Sequence, residues 1–321
     1  MKSRILALSL MCVLAVATTA AAKTNFISIG TGGTGGVYYP YGGGLAEIWT
    51  KNVKGVKAVA EVTGASVENV KLAHKGETVV GLIMGDVAYQ AYNGQGKFDG
   101  NKQDILAMGC MYPNILQLVT LKGSGVKNVT DFPGKKVSIG SPGSGTAFMA
   151  EAVLTSLGVP MDSFDVRRLS FNETANALRD GTIDAGFWVV APGTSSIMDL
   201  ATTHDIEVVA FTAAQQQRVV DAYSYYSSWD LDAGTYRGVD APVPTLSVWN
   251  VIIVQKGLDE DLVYNLSKTL FGNLEYMQKI HPFARYSTPE NAVGKSPIPF
   301  HPGAIRAIEE KGVKVPANRR P

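Results

Sequence analysis

The run Ile27-Ser28-Ile29-Gly30-Thr31-Gly32-Gly33-Thr34-Gly35-Gly36-Val37-Tyr38-Tyr39-Pro40-Tyr41-Gly42-Gly43-Gly44-Leu45-Ala46-Glu47 packs its glycines between an apolar strand and a helix. Ile27 and Ile29 alternate with Ser28 as in a buried strand, and the glycines of 30–36 permit positive φ and a close backbone approach. Leu45, Ala46, Ile48 and Trp49 then fall on one helical stripe. A glycine loop delivered by a strand to a helix N-terminus offers free N–H groups and the positive end of the helix dipole, a setting that favours an anion.

The same device occurs twice. In the first unit, strands are expected at 57–62 and 79–84, with helices from about 67 to 74, Ser66 as N-cap, and through Val87, Ala88 and Ala91. The second unit opens with a strand at 136–139, the loop Gly140-Ser141-Pro142-Gly143-Ser144-Gly145-Thr146 and a helix at 147–157. Strand 166–169, helix 172–179 and the apolar run 185–190, ending at Ala191-Pro192-Gly193, complete it. Strands this apolar, alternating with helices, predict a parallel sheet covered on both faces.

Between the units, 105–121 reads as an apolar stretch broken by Tyr112-Pro113-Asn114 and followed by a turn-rich crossover at 122–134. A strand at 208–211 and a polar, aromatic stretch at 213–238 lead to a β-branched run at 244–254, long enough to carry the chain back to the first unit. Leucines 262, 266, 270 and 274 predict a surface helix at 261–280. A proline-rich tail at 289–302 and a helix at 303–311 close the chain.

The first residues read as an export leader. Lys2 and Arg4 precede an apolar core at 5–16 that is too short to span a bilayer, and Ala20-Ala21-Ala22 supplies a small-residue cleavage site. The mature chain is expected to begin at Lys23, with no lipobox ahead of Cys12. Cys110 is then the one remaining cysteine, so no internal disulfide is expected, and it reads as a buried small hydrophobe. With 29 basic against 28 acidic residues and no polybasic run, nothing points to nucleic acid.

Gly30-Thr31-Gly32-Gly33-Thr34-Gly35 fits the dinucleotide pattern, with Glu61 near the end of the next strand. Export away from nicotinamide pools, a loop that runs on to Pro40 and a second glycine loop all oppose that reading. The loop 140–146 has phosphate-loop spacing but lacks the lysine, which excludes an NTPase, and Ser144 sits in no G-x-S-x-G elbow. What remains is a hydroxyl-rich cradle of Ser141, Ser144 and Thr146, or a plain N-cap by Ser144 or Thr146. Asp86 is read as a cap or a ligand contact, Trp188 as core or cleft wall, and one of Tyr38 and Tyr39 as a ligand wall. His74, His204, His281 and His301 lack metal spacing. Catalytic residues, cofactor and metal are all expected to be absent.

Five segments together resemble the extracytoplasmic solute receptors of the TAXI type, which serve TRAP transporters. They are 29–40, Thr63-Gly64-Ala65-Ser66-Val67-Glu68-Asn69, Asp86-Val87-Ala88-Tyr89-Gln90-Ala91-Tyr92, Gly143-Ser144-Gly145-Thr146, and Ala233-Gly234-Thr235-Tyr236 with Pro244-Thr245-Leu246-Ser247-Val248-Trp249-Asn250. The resemblance implies a two-lobed α/β fold, the type II periplasmic-binding-protein fold, with two crossover strands as hinge near 112–117 and 246–252. It divides the chain into a signal peptide at 1–22, lobe 1 at 23–113 and 247–321, and lobe 2 at 114–246.

By position it implies ligand contacts from Thr31, Gly33, Thr34, Gly35, Tyr38 and Tyr39, backed by Ser66 and Gln90. Ser144, Gly145, Thr146, Trp188 and Pro192 are expected to face them. Whether Glu61, Arg167 or Arg168 reaches the cleft is left open. The implied protein is a periplasmic monomer that binds a small carboxylate such as glutamate, glutamine or 2-oxoglutarate and hands it to TRAP membrane subunits. An exported enzyme and a signalling receptor using the same cleft are the alternatives.

Overall fold

The computed structural model describes residues 24–321; the leader and its cleavage site lie outside the described residues. Among the described residues ten strands are present: β1 (Asn25–Gly30), β2 (Val56–Glu61), β3 (Val80–Met84), β4 (Ile105–Leu121), β5 (Lys136–Ser138), β6 (Asp165–Arg167), β7 (Ala185–Val190), β8 (Ile206–Val209), β9 (Tyr226–Leu231) and β10 (Val243–Gln255). The α-helices are α1 (Tyr38–Asn52), α2 (Ser66–Lys75), α3 (Gly85–Asn93), α4 (Gly145–Leu157), α5 (Phe171–Arg179), α6 (Ser195–Thr203), α7 (Ala213–Ala222), α8 (Glu260–Gly272), α9 (Leu274–Ile280), α10 (Pro289–Lys295) and α11 (Pro302–Glu310).

The two halves repeat one another. In the first, β1 pairs in parallel with β2 and β3; in the second, β5 pairs in parallel with β6 and β7. Each triplet is then joined by a long antiparallel strand that starts in the other half. β10 lies beside β3 through Asn250–Val254, and β4 lies beside β7 through Ile115–Thr120. Because β4 and β10 also pair with each other, the sheet is continuous in the order β2-β1-β3-β10-β4-β7-β5-β6, with β8 on β4 and β9 on β10. The expected parallel sheet is thus a mixed one, parallel within each triplet and antiparallel at both crossovers.

β4 is one unbroken strand through Tyr112-Pro113-Asn114. The β4–β10 register slips between the pairs Trp249↔Pro113 and Val251↔Cys110, a bulge of the kind that accommodates a proline without an N–H to donate. The expected helix at 261–280 is two helices, because α8 stops at Gly272 and α9 starts after Asn273. Within 213–238 the structure adds α7 and β9, and within the proline-rich tail it adds α10. Cys110 is a free, fully buried thiol.

Candidate functional site between the two halves

The helices that follow the parallel strands all start on the same side of the sheet, at the strands' C-terminal ends, where open α/β sheets place their ligands. Between the halves lies a cavity of about 60 Å³, lined by the starts of five of them. Gly36, Val37 and Tyr38 bring the start of α1. Ala65 and Ser66 bring α2, Met84 brings α3, Ser144, Gly145 and Thr146 bring α4, and Ser170 and Phe171 bring α5. No lining residue is charged.

The five starts differ in what they leave free. α4 is capped by Ser144, whose Oγ accepts from the Ala147 amide at 3.1 Å. α5 carries a reciprocal capping box, Ser170 with Glu173. No side chain caps α1, α2 or α3. The starts of α1 and α2 turn their positive dipole ends toward the cavity without a side-chain cap, although at α2 the Val67 amide donates to the Gly143 carbonyl and Glu68 stands in the first turn.

Behind the lining, a chain of hydrogen bonds crosses the molecule. The Tyr38 hydroxyl donates to Asn250 Oδ1 at 2.6 Å. Asn250 Nδ2 donates to the Tyr112 carbonyl at 2.8 Å and to Asn114 Oδ1 at 2.9 Å, and Asn114 Nδ2 donates to the Val189 carbonyl at 3.0 Å. α1, both long strands and β7 are thereby tied together, and burial holds the Tyr38 phenol protonated far above its ordinary range.

Six of the residues expected on the ligand line the cavity: Gly33, Tyr38, Ser66, Ser144, Gly145 and Thr146. Ser66 is not the N-cap of α2; Ala65 is, and Ser66 Oγ accepts from the Met84 amide at 3.1 Å. The other seven are placed elsewhere. Thr31 is buried behind the loop, with its hydroxyl on the Glu61 carbonyl at 2.6 Å. Thr34 is exposed, and Gly35 is covered by Asn172, whose Oδ1 would lie 2.1 Å from an added Cβ. Tyr38 and Tyr39 are helical rather than extended, so the helix turns Tyr39 outward while Tyr38 faces in. Gln90 Nε2 donates to Tyr225 Oη at 3.2 Å, away from the cavity.

Trp188 and Pro192 also miss the cavity. The Trp188 indole donates to Ser196 Oγ at 3.1 Å and stacks behind Phe171, with ring centroids 6.0 Å apart. Glu61, Arg167 and Arg168 do not line the cavity, and Arg168 is engaged with Glu151 at 2.9 Å. Asp86 caps nothing across a helical turn and does not line this cavity. Its carboxylate accepts from the Val87 amide at 2.8 Å and from the Tyr226 hydroxyl at 2.7 Å, and burial pushes it up to about 7. Sequence reasoning missed Asn114, Ser170 and Phe171; a lone asparagine inside an apolar run was the one available signal.

The glycines of the first loop have no positive φ, contrary to expectation. Close approach accounts for Gly35, against Asn172, and Gly36, against Phe171, whereas nothing lies near an added Cβ at Gly33. The positive φ falls instead on Ala65, at φ 73° and ψ −143°, the one non-glycine so placed among the described residues. Such a backbone costs about 1–3 kcal/mol and concentrates at functional sites. Ala65→Gly is expected to raise the urea midpoint, because that relief exceeds the roughly 1 kcal/mol that glycine's added freedom removes. A lower midpoint would show that Ala65 carries no strain.

Among the described residues no helix is long and apolar enough to cross a membrane, and no group of three or more His, Cys, Asp or Glu is placed to hold a metal. A doubled βαβ unit, exchanged long strands and a cavity between the halves define the two-lobed periplasmic-binding-protein fold. Residues 29–312 match the NMT1-like family, and the chain belongs to it.

Solved structures agree on the fold. A putative L-cystine ABC transporter protein from Listeria monocytogenes is 14% identical with TM-score 0.52, covering 83% of this chain and 98% of its own. A structure described for glutathione import through the cystine ABC importer of Streptococcus mutans is 13% identical with TM-score 0.52, covering 83% and 97%. The alkanesulfonate-binding protein of Xanthomonas axonopodis pv. citri, bound to MOPS, is 14% identical with TM-score 0.50, covering 91% and 92%.

Proposed function

We propose that this protein is an exported receptor that captures a small organic carboxylate, in the size range of glutamate, glutamine or 2-oxoglutarate, and delivers it to a TRAP-type membrane permease. The observation that carries the ligand class is the convergence of helix starts, three without side-chain caps, on a charge-free cavity between two lobes. Amides and hydroxyls oriented in advance bind an anion without an arginine. The permease class rests on the resemblance to TAXI receptors. The lobes are residues 23–113 with 247–321, and 114–246, hinged where β4 and β10 cross.

A thermal-shift screen of the chain from Lys23 against carboxylates, amino acids and NAD tests this reading. A ligand at one hundred times its dissociation constant stabilises by about 2.7 kcal/mol. A carboxylate shift without turnover is expected; a shift with NAD alone, or consumption of the carboxylate, would contradict the receptor.

Closure has its own contacts. The Val67 amide at the start of α2 donates to the Gly143 carbonyl at 3.0 Å, from one lobe to the other. At the rim, Lys97 reaches Glu151 of α4 at 2.6 Å, and Glu151 also holds Arg168. Burial opposes ionisation of Glu151, but the hydrogen bonds from Lys97 and Arg168 outweigh it and hold the carboxyl below its usual range. Its contribution is therefore present at neutral pH and lost as pH falls through that depressed value. Glu151→Gln is expected to weaken ligand affinity at pH 7 by less than about fivefold, the scale of a half-exposed ion pair. It should also remove part of the acid sensitivity of binding, as titration calorimetry at pH 7 and pH 4 would read; an unchanged pH profile would place closure elsewhere.

A further inference from the structure

We infer that the ligand carries one anionic group on a short apolar body and no ammonium group, so that its class is the short aliphatic or small aromatic monocarboxylates. This deepens the receptor reading and rests on it. Every polar group on the lining is neutral, so nothing there neutralises an ammonium. The carboxylates of adjoining residues are engaged elsewhere: Glu68 accepts from the Gly64 amide at 2.7 Å, and Asp86 accepts from Tyr226 and Val87. A buried ammonium without a partner is heavily disfavoured, and its exclusion is a specificity device.

A second carboxylate fares no better. The starts of α1 and α4 supply the anion's donors; Glu68 stands in the first turn of α2, and the start of α5 likewise holds a negative charge. Glu173 accepts from the Ser170 amide at 2.8 Å, and that backbone contact, with the Ser170 side chain, keeps its carboxyl below the usual range. The wall on that side is apolar, formed by Phe171, Val189 and Val190. Phe171 is fixed by its stack on Trp188, which is itself anchored to Ser196. The cavity is small, about 60 Å³, which favours a short or compact apolar body.

Titration calorimetry of the chain from Lys23 with butyrate, hexanoate, benzoate, butanesulfonate, glutamate and 2-oxoglutarate tests the inference. Butyrate or benzoate is expected to bind, with glutamate and 2-oxoglutarate weaker by on the order of 100-fold or more. Phe171→Ala should shift the preference from butyrate toward hexanoate by about tenfold, the scale of a methylene pocket. Glutamate or 2-oxoglutarate binding as tightly as butyrate would overturn the inference and leave the receptor standing. So would butanesulfonate binding tighter than butyrate, or an unchanged chain-length order in Phe171→Ala. Silence from every acid, in a protein that still melts cooperatively, would overturn the receptor as well.

Discussion

Gly145→Val is expected to abolish ligand capture while leaving both lobes folded. Gly145 opens α4 on one lobe, and a Cβ built there lies 2.3 Å from Met84 Sδ and 2.6 Å from Ser66 Oγ, both on the other lobe. Its φ is not positive, so the backbone itself accepts a side chain. Met84 can swing aside; Ser66 is short and fixed by its bond from the Met84 amide, and the two methyls of valine require more room still. The lobes must separate, and the helix starts no longer share one ligand. A loss of at least about 100-fold in carboxylate affinity is expected, with a melting temperature within a few degrees of the parent. Parent-like affinity in calorimetry would show that the two loops do not meet on the ligand.

Asn69→Ala is expected to cost about 2–4 kcal/mol of stability, because it orphans several buried groups at once. Asn69 is fully buried in α2, and its Nδ2 is shared among the carbonyls of Gly30, Thr31 and Leu82 at 3.0, 2.7 and 2.8 Å. Its Oδ1 accepts from the Thr63 hydroxyl at 2.7 Å. One side chain therefore holds the end of β1, the glycine loop, the 63–65 turn and β3 together. In alanine the Gly30 and Leu82 carbonyls lose this donor, while Thr31 keeps the Thr63 hydroxyl at 3.1 Å. A fall in melting temperature of roughly 5–10 °C should follow; a change below about 1 kcal/mol in urea unfolding would mean that water replaces the amide.

The strands that carry the fold are legible because they are buried on both faces. β3, β4, β7 and most of β10 are nearly continuous apolar runs, and no alternative burial satisfies them. β9 is invisible for the opposite reason: only its two end residues are buried. Pro113 and Asn114 read as a break because a proline and an amide locally favour a turn. The partners that overrule this, Trp249 opposite Pro113 and Val189 and Asn250 around Asn114, lie far along the chain.

The site divides in the same way. Glycine loops ahead of helices are local patterns, and they bring Gly33, Tyr38, Ser66, Ser144, Gly145 and Thr146 to the cavity. Which of two neighbouring aromatics faces it is not local. Trp188 has the bulk of a cleft wall, yet Phe171 from a separate helix stands in front of it. Thr31 has the hydroxyl of a ligand contact, yet the chain's return at Glu61 claims it.

Small-angle X-ray scattering of the chain from Lys23, with and without a saturating small monocarboxylate, tests the central claim most directly. Capture by helix starts on two lobes requires those lobes to come together on the anion. The radius of gyration is expected to contract on addition of the acid in the parent and to stay constant in Gly145→Val. An acid that binds the parent without contraction, or that contracts both proteins alike, would contradict a site shared between the lobes.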